Sequence, residues 1–85
     1  MDSNIKTAVR TLKTFEAFSR ILKPLTLSEL AHAIDIPLSS CHGLVVTLKN
    51  QGYVYSVGNN RQVYPTRRIL DVAEPIVRND PLLET

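Results

Sequence analysis

Between residues 26 and 51 the sequence lays down two short helices with only Asp35-Ile36-Pro37 between them, and this pairing limits the fold more than any other feature. The first of the two has a clear start. Thr26 followed three residues later by Glu29 is a capping box, in which each side chain satisfies a free backbone N–H of the other residue. Leu25 and Leu30 stand at the two staple positions, and Leu27, Leu30, Ala31 and Ile34 form the buried stripe. Pro37 cannot continue that helix but suits the first turn of a new one, which spans residues 37–51. There Cys41, Leu44, Val45 and Leu48 recur at i, i+3, i+4 and i+7 and mark an inward face. Ser39, Ser40, His42, Gly43, Thr47 and Asn50 fall on the other side, and Gly52 stands where a helix-ending glycine belongs. A helix pair with so short a break, the second member presenting small polar side chains outward, predicts a helix-turn-helix.

The flanking segments complete the pattern. Upstream, Ile5, Val9, Leu12, Phe15, Phe18 and Leu22 form the stripe of an amphipathic helix, with Ser3 as its N-cap and Pro24 as its stop. Downstream of Gly52 the period changes from 3.6 to 2. Tyr53-Val54-Tyr55-Ser56-Val57 and Arg61-Gln62-Val63-Tyr64 flank Gly58-Asn59-Asn60, a hairpin with the Gly/Asn turn chemistry that positive φ requires. Three helices and a hairpin in this order predict a mainly α fold with a small β-hairpin, a winged helix-turn-helix, over residues 1–65. Residues 66–85 then read as a linker helix, with Ile69, Leu70, Ala73, Ile76 and Val77 on its apolar side and Pro75 as a kink or restart. That apolar surface packs against a second chain or a further domain, or it folds back on its own domain. Asp80-Pro81 followed by Leu82-Leu83 reads as the capped opening of another helix, the expected start of a domain absent from these 85 residues.

Composition narrows the function. No apolar run exceeds three residues, which excludes a transmembrane helix and a secretory h-region. One cysteine, Cys41, builds neither a disulfide within the chain nor a zinc site, and a reduced, cytoplasmic setting is expected. Two histidines, one cysteine and no carboxylate cluster or phosphate-cradling loop give no catalytic constellation and no cofactor or metal site, so an enzyme is not expected. The net charge of +2 conceals an asymmetry: residues 1–70 hold nine cations against four carboxylates, whereas residues 71–85 hold one cation against four. A basic body followed by an acidic tail points to an anionic partner for the body.

Leu25-Thr26-Leu27-Ser28-Glu29-Leu30-Ala31, Ile36-Pro37-Leu38-Ser39-Ser40-Cys41-His42, Thr47-Leu48, Gly52-Tyr53-Val54 and Tyr64, with Ala8-Val9-Arg10-Thr11-Leu12 upstream, resemble the N-terminal domain of IclR-type bacterial transcriptional regulators over residues 3–79. The resemblance implies a homodimer, or a dimer of dimers, acting on palindromic double-stranded promoter DNA in the bacterial cytoplasm and nucleoid. It also implies a small-molecule effector, sensed only by a separate domain beyond the linker. The chain departs from the family at Asp35, where the family usually has Gly, and at Leu38 and Gly43, where it often has Lys and Arg. The exchange leaves His42 and Lys49 as the only basic residues of the second helix of the pair and weakens guanine readout, whose usual source is a bidentate Arg.

In a helix-turn-helix the N-terminal part of the second helix enters the major groove. This places Ser39, Ser40, His42 and Gly43 nearest the bases, with Thr47 farther along. Helix capping competes as a role for the two serines, packing against protein for Gly43, and plain solvation for His42. Cys41 reads as a small buried hydrophobe rather than a redox sensor, and His32 as a structural or surface residue. Thr26 and the free N–H groups behind it suit a phosphate. Arg61 with Asn59 and Asn60 forms the wing tip, and Arg10, Lys49, Arg67 and Arg68 are the next phosphate candidates. The apolar Leu38 and Val46, with no arginine between them, favour the rival reading of a winged-helix module that binds protein without specific DNA readout.

Overall fold

A computed structural model describes residues 3–83. The element order is α1 (Lys6–Ile21), α2 (Leu27–Ile34), α3 (Leu38–Asn50), β1 (Val54–Val57), β2 (Gln62–Pro65), α4 (Arg68–Arg78) and a short 3₁₀ turn (Pro81–Leu83). This is a winged helix-turn-helix followed by a further helix, in the expected order.

The junction between α2 and α3 sets the geometry of everything outside it. The Thr26–Glu29 capping box forms as predicted: the Thr26 hydroxyl accepts from the Glu29 N–H at 3.1 Å, and the Glu29 carboxylate accepts from the Thr26 N–H at 2.8 Å. Asp35 ends α2 in the left-handed region, at φ 57° and ψ 56°. Its N–H donates to the His32 carbonyl at 3.3 Å, and the next N–H, that of Ile36, donates to the Ala31 carbonyl at 3.0 Å. These two bonds make a Schellman termination with Asp35 at the position that glycine normally takes. Pro37 serves as the N-cap of α3, one position earlier than its expected place in the first turn. The same termination closes α3. Gly52 stands at φ 83°, its N–H donates to the Lys49 carbonyl at 3.0 Å, and the Tyr53 N–H donates to the Leu48 carbonyl at 2.9 Å.

The core lies where the three helices meet the hairpin: Phe18 and Ala17 of α1, Leu30, Ala31 and Ile34 of α2, Cys41, Leu44, Val45 and Leu48 of α3, with Leu25, Val54 and Val63. Cys41 is fully buried, and its thiol donates to the Leu27 carbonyl at 3.6 Å, tying α3 to the first turn of α2. Burial pushes the thiol pKa up, so the residue behaves as the small hydrophobe the sequence suggests.

Helix α1 departs from expectation. Its buried residues are Thr14, Ala17 and Phe18, whereas Ile5, Leu12 and Leu22 of the expected inward stripe are exposed. The helix carries two apolar lines on nearly opposite sides, and the line through Phe18 faces the core. Thr14 tolerates full burial because its hydroxyl donates to the Arg10 carbonyl at 2.8 Å. Leu22 leaves the helix at φ 60°, which turns its side chain out of the stripe. The N-cap is Ile5, without a side-chain hydrogen bond, and not Ser3.

The hairpin pairs Val54 with Pro65 through Val57 with Gln62. Its turn holds three successive positive-φ residues, Gly58, Asn59 and Asn60, and closes with the Arg61 N–H donating to the Gly58 carbonyl at 3.1 Å. Arg61, expected to open the second strand, therefore stands in the turn. A one-residue bridge that the periodicity does not signal adds to the hairpin: Leu25 and Val63 exchange two backbone hydrogen bonds of 3.1 and 2.8 Å.

Thr66 anchors the start of α4, its hydroxyl donating to the Gly52 carbonyl at 2.6 Å and accepting from the Arg68 N–H at 3.1 Å. The helix continues through Pro75 as one element and buries none of its residues, so its apolar side does not fold back on the domain. Asp80 accepts from the Leu82 N–H at 2.8 Å, the predicted capping contact, and a 3₁₀ turn follows it.

The left-handed Asp35 generates a prediction. Replacing it by glycine removes a Cβ from a conformation that L-residues resist and a negative charge from a helix C-terminus. Asp35→Gly should raise unfolding free energy by about 0.5–1 kcal/mol in urea titration; an unchanged or lower midpoint would show that the aspartate is not strained there.

Candidate nucleic-acid interface

Helix α3 buries Cys41, Leu44, Val45 and Leu48, so at about 100° per residue the line opposite is Ser39, Gly43, Val46 and Asn50. All four are exposed. On either side of this line the predicted residues separate into two groups. Leu38, His42 and Lys49 flank it toward the hairpin, where they line an open cleft of about 400 Å³ together with Thr26, Asn60 and Arg61. Ser40 and Thr47 flank it toward α1, and with Ser39, Gly43 and Arg10 they line a second open cleft of about 450 Å³. The fold thus brings ten of the eleven singled-out residues to the two sides of α3; Asn59, at the tip of the turn, lines neither cleft.

The competing roles for these residues separate on the geometry. Neither serine caps α3, whose N-terminus has no side-chain cap. A Cβ built on Gly43 would meet nothing within 4 Å, so this glycine is not required by packing within the domain. The Thr47 hydroxyl donates to the Gly43 carbonyl at 2.9 Å and keeps only its acceptor lone pairs free. His42 and His32 are both exposed.

The N-terminus of α2 is partly occupied already. The Glu29 carboxylate takes the Thr26 N–H, and the Thr26 hydroxyl takes the Glu29 N–H, which leaves the Leu27 and Ser28 N–H groups for an anion. Hydrogen bonding to the Thr26 backbone, opposed by desolvation and helped by the Thr26 side chain and by Lys23, holds the Glu29 carboxyl below its ordinary value of 4.5. On the hairpin side of the cleft, the Ser56 hydroxyl is buried without a hydrogen-bond partner.

The charges follow the same division. Among the described residues the two ion pairs are Arg67–Asp71 at 3.3 Å and Arg78–Glu74 at 3.7 Å. Arg68 lies 5.9 Å from the centroid of the Tyr53 ring, within cation–π range. Arg67 and Arg68, two of the phosphate candidates that the sequence suggests, thus have partners on α4 and at its junction, both in exposed positions. Lys49, Arg61 and Arg10 have no ion-pair partner among the described residues and border the two clefts. Val46 joins the exposed surface beside the expected site residues; its position seven residues after Ser39 puts it on the outward line.

The model of the IclR helix-turn-helix domain matches residues 7–58, from α1 to the first residue of the hairpin turn. The chain belongs to that family. It is a DNA-binding domain of the kind found in transcription regulators. Among solved structures, the chain is similar to a candidate transcriptional regulator from Rhodococcus sp. RHA1, with 24% identity and a TM-score of 0.72, covering 82% of this chain and 27% of that one. It is also similar to HmgR of Pseudomonas aeruginosa, with 19% identity and a TM-score of 0.74, covering 93% of this chain and 32% of that one. At these identities the likeness is one of fold, and the chain spans between a quarter and a third of the length of either protein. No curated protein sequence matches the chain significantly. Among the described residues no helix is long and apolar enough to cross a membrane.

The capping box makes α2 acid-sensitive in a definite direction. Glu29 has its folded pKa depressed, so its contribution is complete above the unfolded value and is lost as pH falls through the lower folded one. Thermal unfolding followed by circular dichroism should show Tm falling below pH 4.5, with a shallower acid limb for Glu29→Gln, whose amide does not titrate; identical acid limbs would show that Glu29 contributes nothing to this dependence.

Proposed function

We propose that residues 1–65 bind palindromic promoter DNA as one half of a homodimeric transcriptional regulator, with α3 in the major groove and the hairpin as a wing on the adjoining backbone. The single observation that carries this reading is the arrangement around α3. A solvent-facing line of small side chains, Ser39 and Gly43 followed by Val46 and Asn50, has cations on both flanks that form no ion pair among the described residues: Lys49 and Arg61 on one, Arg10 on the other. Small residues let the helix sit deep in the groove, and cations on either side meet the two phosphate walls. Thr26 with the Leu27 and Ser28 N–H groups adds a phosphate contact on the wing side, and Asn59 and Asn60 carry Arg61 at the tip of the hairpin.

Residues 66–85 act in this proposal as a linker toward an effector-binding domain, and α4 supplies dimer contacts. Leu70, Val72, Ile76 and Val77 of α4 are exposed, as are Ile5 and Leu12 at the start and middle of α1. Exposed aliphatic side chains along two helices are the surface on which the dimer contact is proposed. The rival reading, a protein-binding winged helix, draws on exposed Leu38 and Val46 and on the absence of an arginine from α3.

Three measurements test the proposal. Duplex DNA titrated at several salt concentrations should bind with log K falling linearly in log [salt], and Lys49→Ala and Arg61→Ala should each lower the slope by about one; affinity independent of salt would overturn the reading. Gly43→Ala should stabilise α3 by about 1 kcal/mol while weakening DNA binding, because the added methyl stands on the outward line. A stabilised variant with unchanged affinity would place the DNA elsewhere. Sedimentation equilibrium should show a monomer–dimer equilibrium shifted to monomer by Ile76→Asp, and a wild-type chain that stays monomeric at high concentration would contradict the α4 contact.

A further inference from the structure

The outward surface of α3 is not polar throughout. Val46 is 41% exposed and Leu38 is 52% exposed, on a helix whose other side already closes the core. Gly43 stands between them in sequence with open space where a Cβ would be, so no side chain of the helix covers the surface there. Leu38 and Val46 line the same cleft as His42, Lys49 and Arg61, which places a cationic edge beside an apolar floor.

Resting on the DNA-binding reading, we infer that Val46 and Leu38 recognise thymine 5-methyl groups, so that each half-site must carry thymine at two positions. The thymine methyl is the one apolar group on the base edges of the major groove, and aliphatic side chains discriminate by contact with it. Strong hydrogen-bond readers are few along most of this helix. It carries no arginine, its lysine lies in the last turn, and its serine hydroxyls accept any base edge. Apart from His42, the one side chain suited to a specific base is Asn50, its last residue. Leu38 and Val46 are about 12 Å apart along the axis at 1.5 Å per residue. That exceeds the ~3.4 Å rise of one base step, so the two meet methyls on different base pairs. The same two residues that favour a protein-binding module in the sequence thereby become the specificity determinants.

The test isolates the methyl. The chain is used to select a duplex from a random library, and that duplex is resynthesised with deoxyuridine replacing thymidine one position at a time. Fluorescence anisotropy at fixed salt should show roughly a fourfold loss of affinity at two positions per half-site, the effect expected of one methyl-sized group. Val46→Ala should abolish the sensitivity at one of these positions and keep it at the other, and Leu38→Ala should do the reverse. Both residues are exposed and alanine favours helix, so the fold should be retained, which a circular dichroism spectrum of each variant checks. Uracil tolerated at every position of a selected site, or Val46→Ala as sensitive as the wild type, overturns the inference and leaves these residues to a protein partner. Failure to bind any duplex overturns the DNA-binding reading beneath it as well.

Discussion

The chain changes direction between Ile34 and Leu38 by way of a single left-handed residue, Asp35, whose N–H and that of Ile36 return to the carbonyls of His32 and Ala31. Without that turn the helical path of α2 would run into Pro37, which has no N–H to continue it. With it, α3 starts at an angle that brings Cys41 under the first turn of α2, where its thiol meets the Leu27 carbonyl. Once Cys41 is buried, the spacing of Leu44, Val45 and Leu48 directs the rest of the helix, and the line through Ser39, Gly43, Val46 and Asn50 has only solvent to face. The direction of the proposed DNA-facing surface is therefore a consequence of one backbone conformation and one small buried side chain.

The hairpin is held to the same frame by backbone hydrogen bonds as well as by the buried Val54 and Val63 side chains. Leu25 pairs with Val63, so the residue before the Thr26 cap is bonded to the strand that follows Arg61. The start of α2 and the tip of the wing, which form opposite walls of the cleft, cannot move independently. The glycine termination of α3 fixes the other end of the hairpin, and Thr66 uses the Gly52 carbonyl of that termination to set where α4 departs. This chain of hydrogen bonds gives the proposed reading surface the rigidity that a groove-binding helix needs.

The features legible in the sequence are those whose causes are local. The capping box, the inward stripe of α3, the glycine after it and the Gly-Asn-Asn turn each depend on residues within a few positions of one another, and each forms as expected. Local departures are shifts of a residue or two, at Ser3, Pro37 and Arg61, and the larger differences depend on distant packing. Helix α1 carries apolar residues on two sides, and periodicity alone does not say which side meets the core; Thr14 and Ala17 take the inward places that the spacing gives to Leu12 and Ile5. The Leu25–Val63 bridge joins residues far apart in sequence, and Leu25 alone signals only a staple. At the site, the cations are visible in the sequence as charges. Their division into two groups around α3, and the place of Arg68 over the Tyr53 ring, follow from angles between elements that no spacing encodes, whereas the Arg67–Asp71 pair has the i, i+4 spacing of one helix and is open to sequence reading. Val46 signals a contact surface in the sequence but not its partner, because an aliphatic residue on a polar side carries no charge or hydrogen-bond pattern.

If the outward line of α3, flanked by the wing, is the surface that meets DNA, a ¹⁵N–¹H correlation spectrum recorded during titration with a duplex selected by the chain reports it residue by residue. The largest amide shifts should then fall at Ser39, Gly43 and Val46 and at Asn60 and Arg61, with the outer sides of α1 and α4 unmoved. Shifts confined to α1 and α4, with α3 and the hairpin turn unchanged, would contradict it.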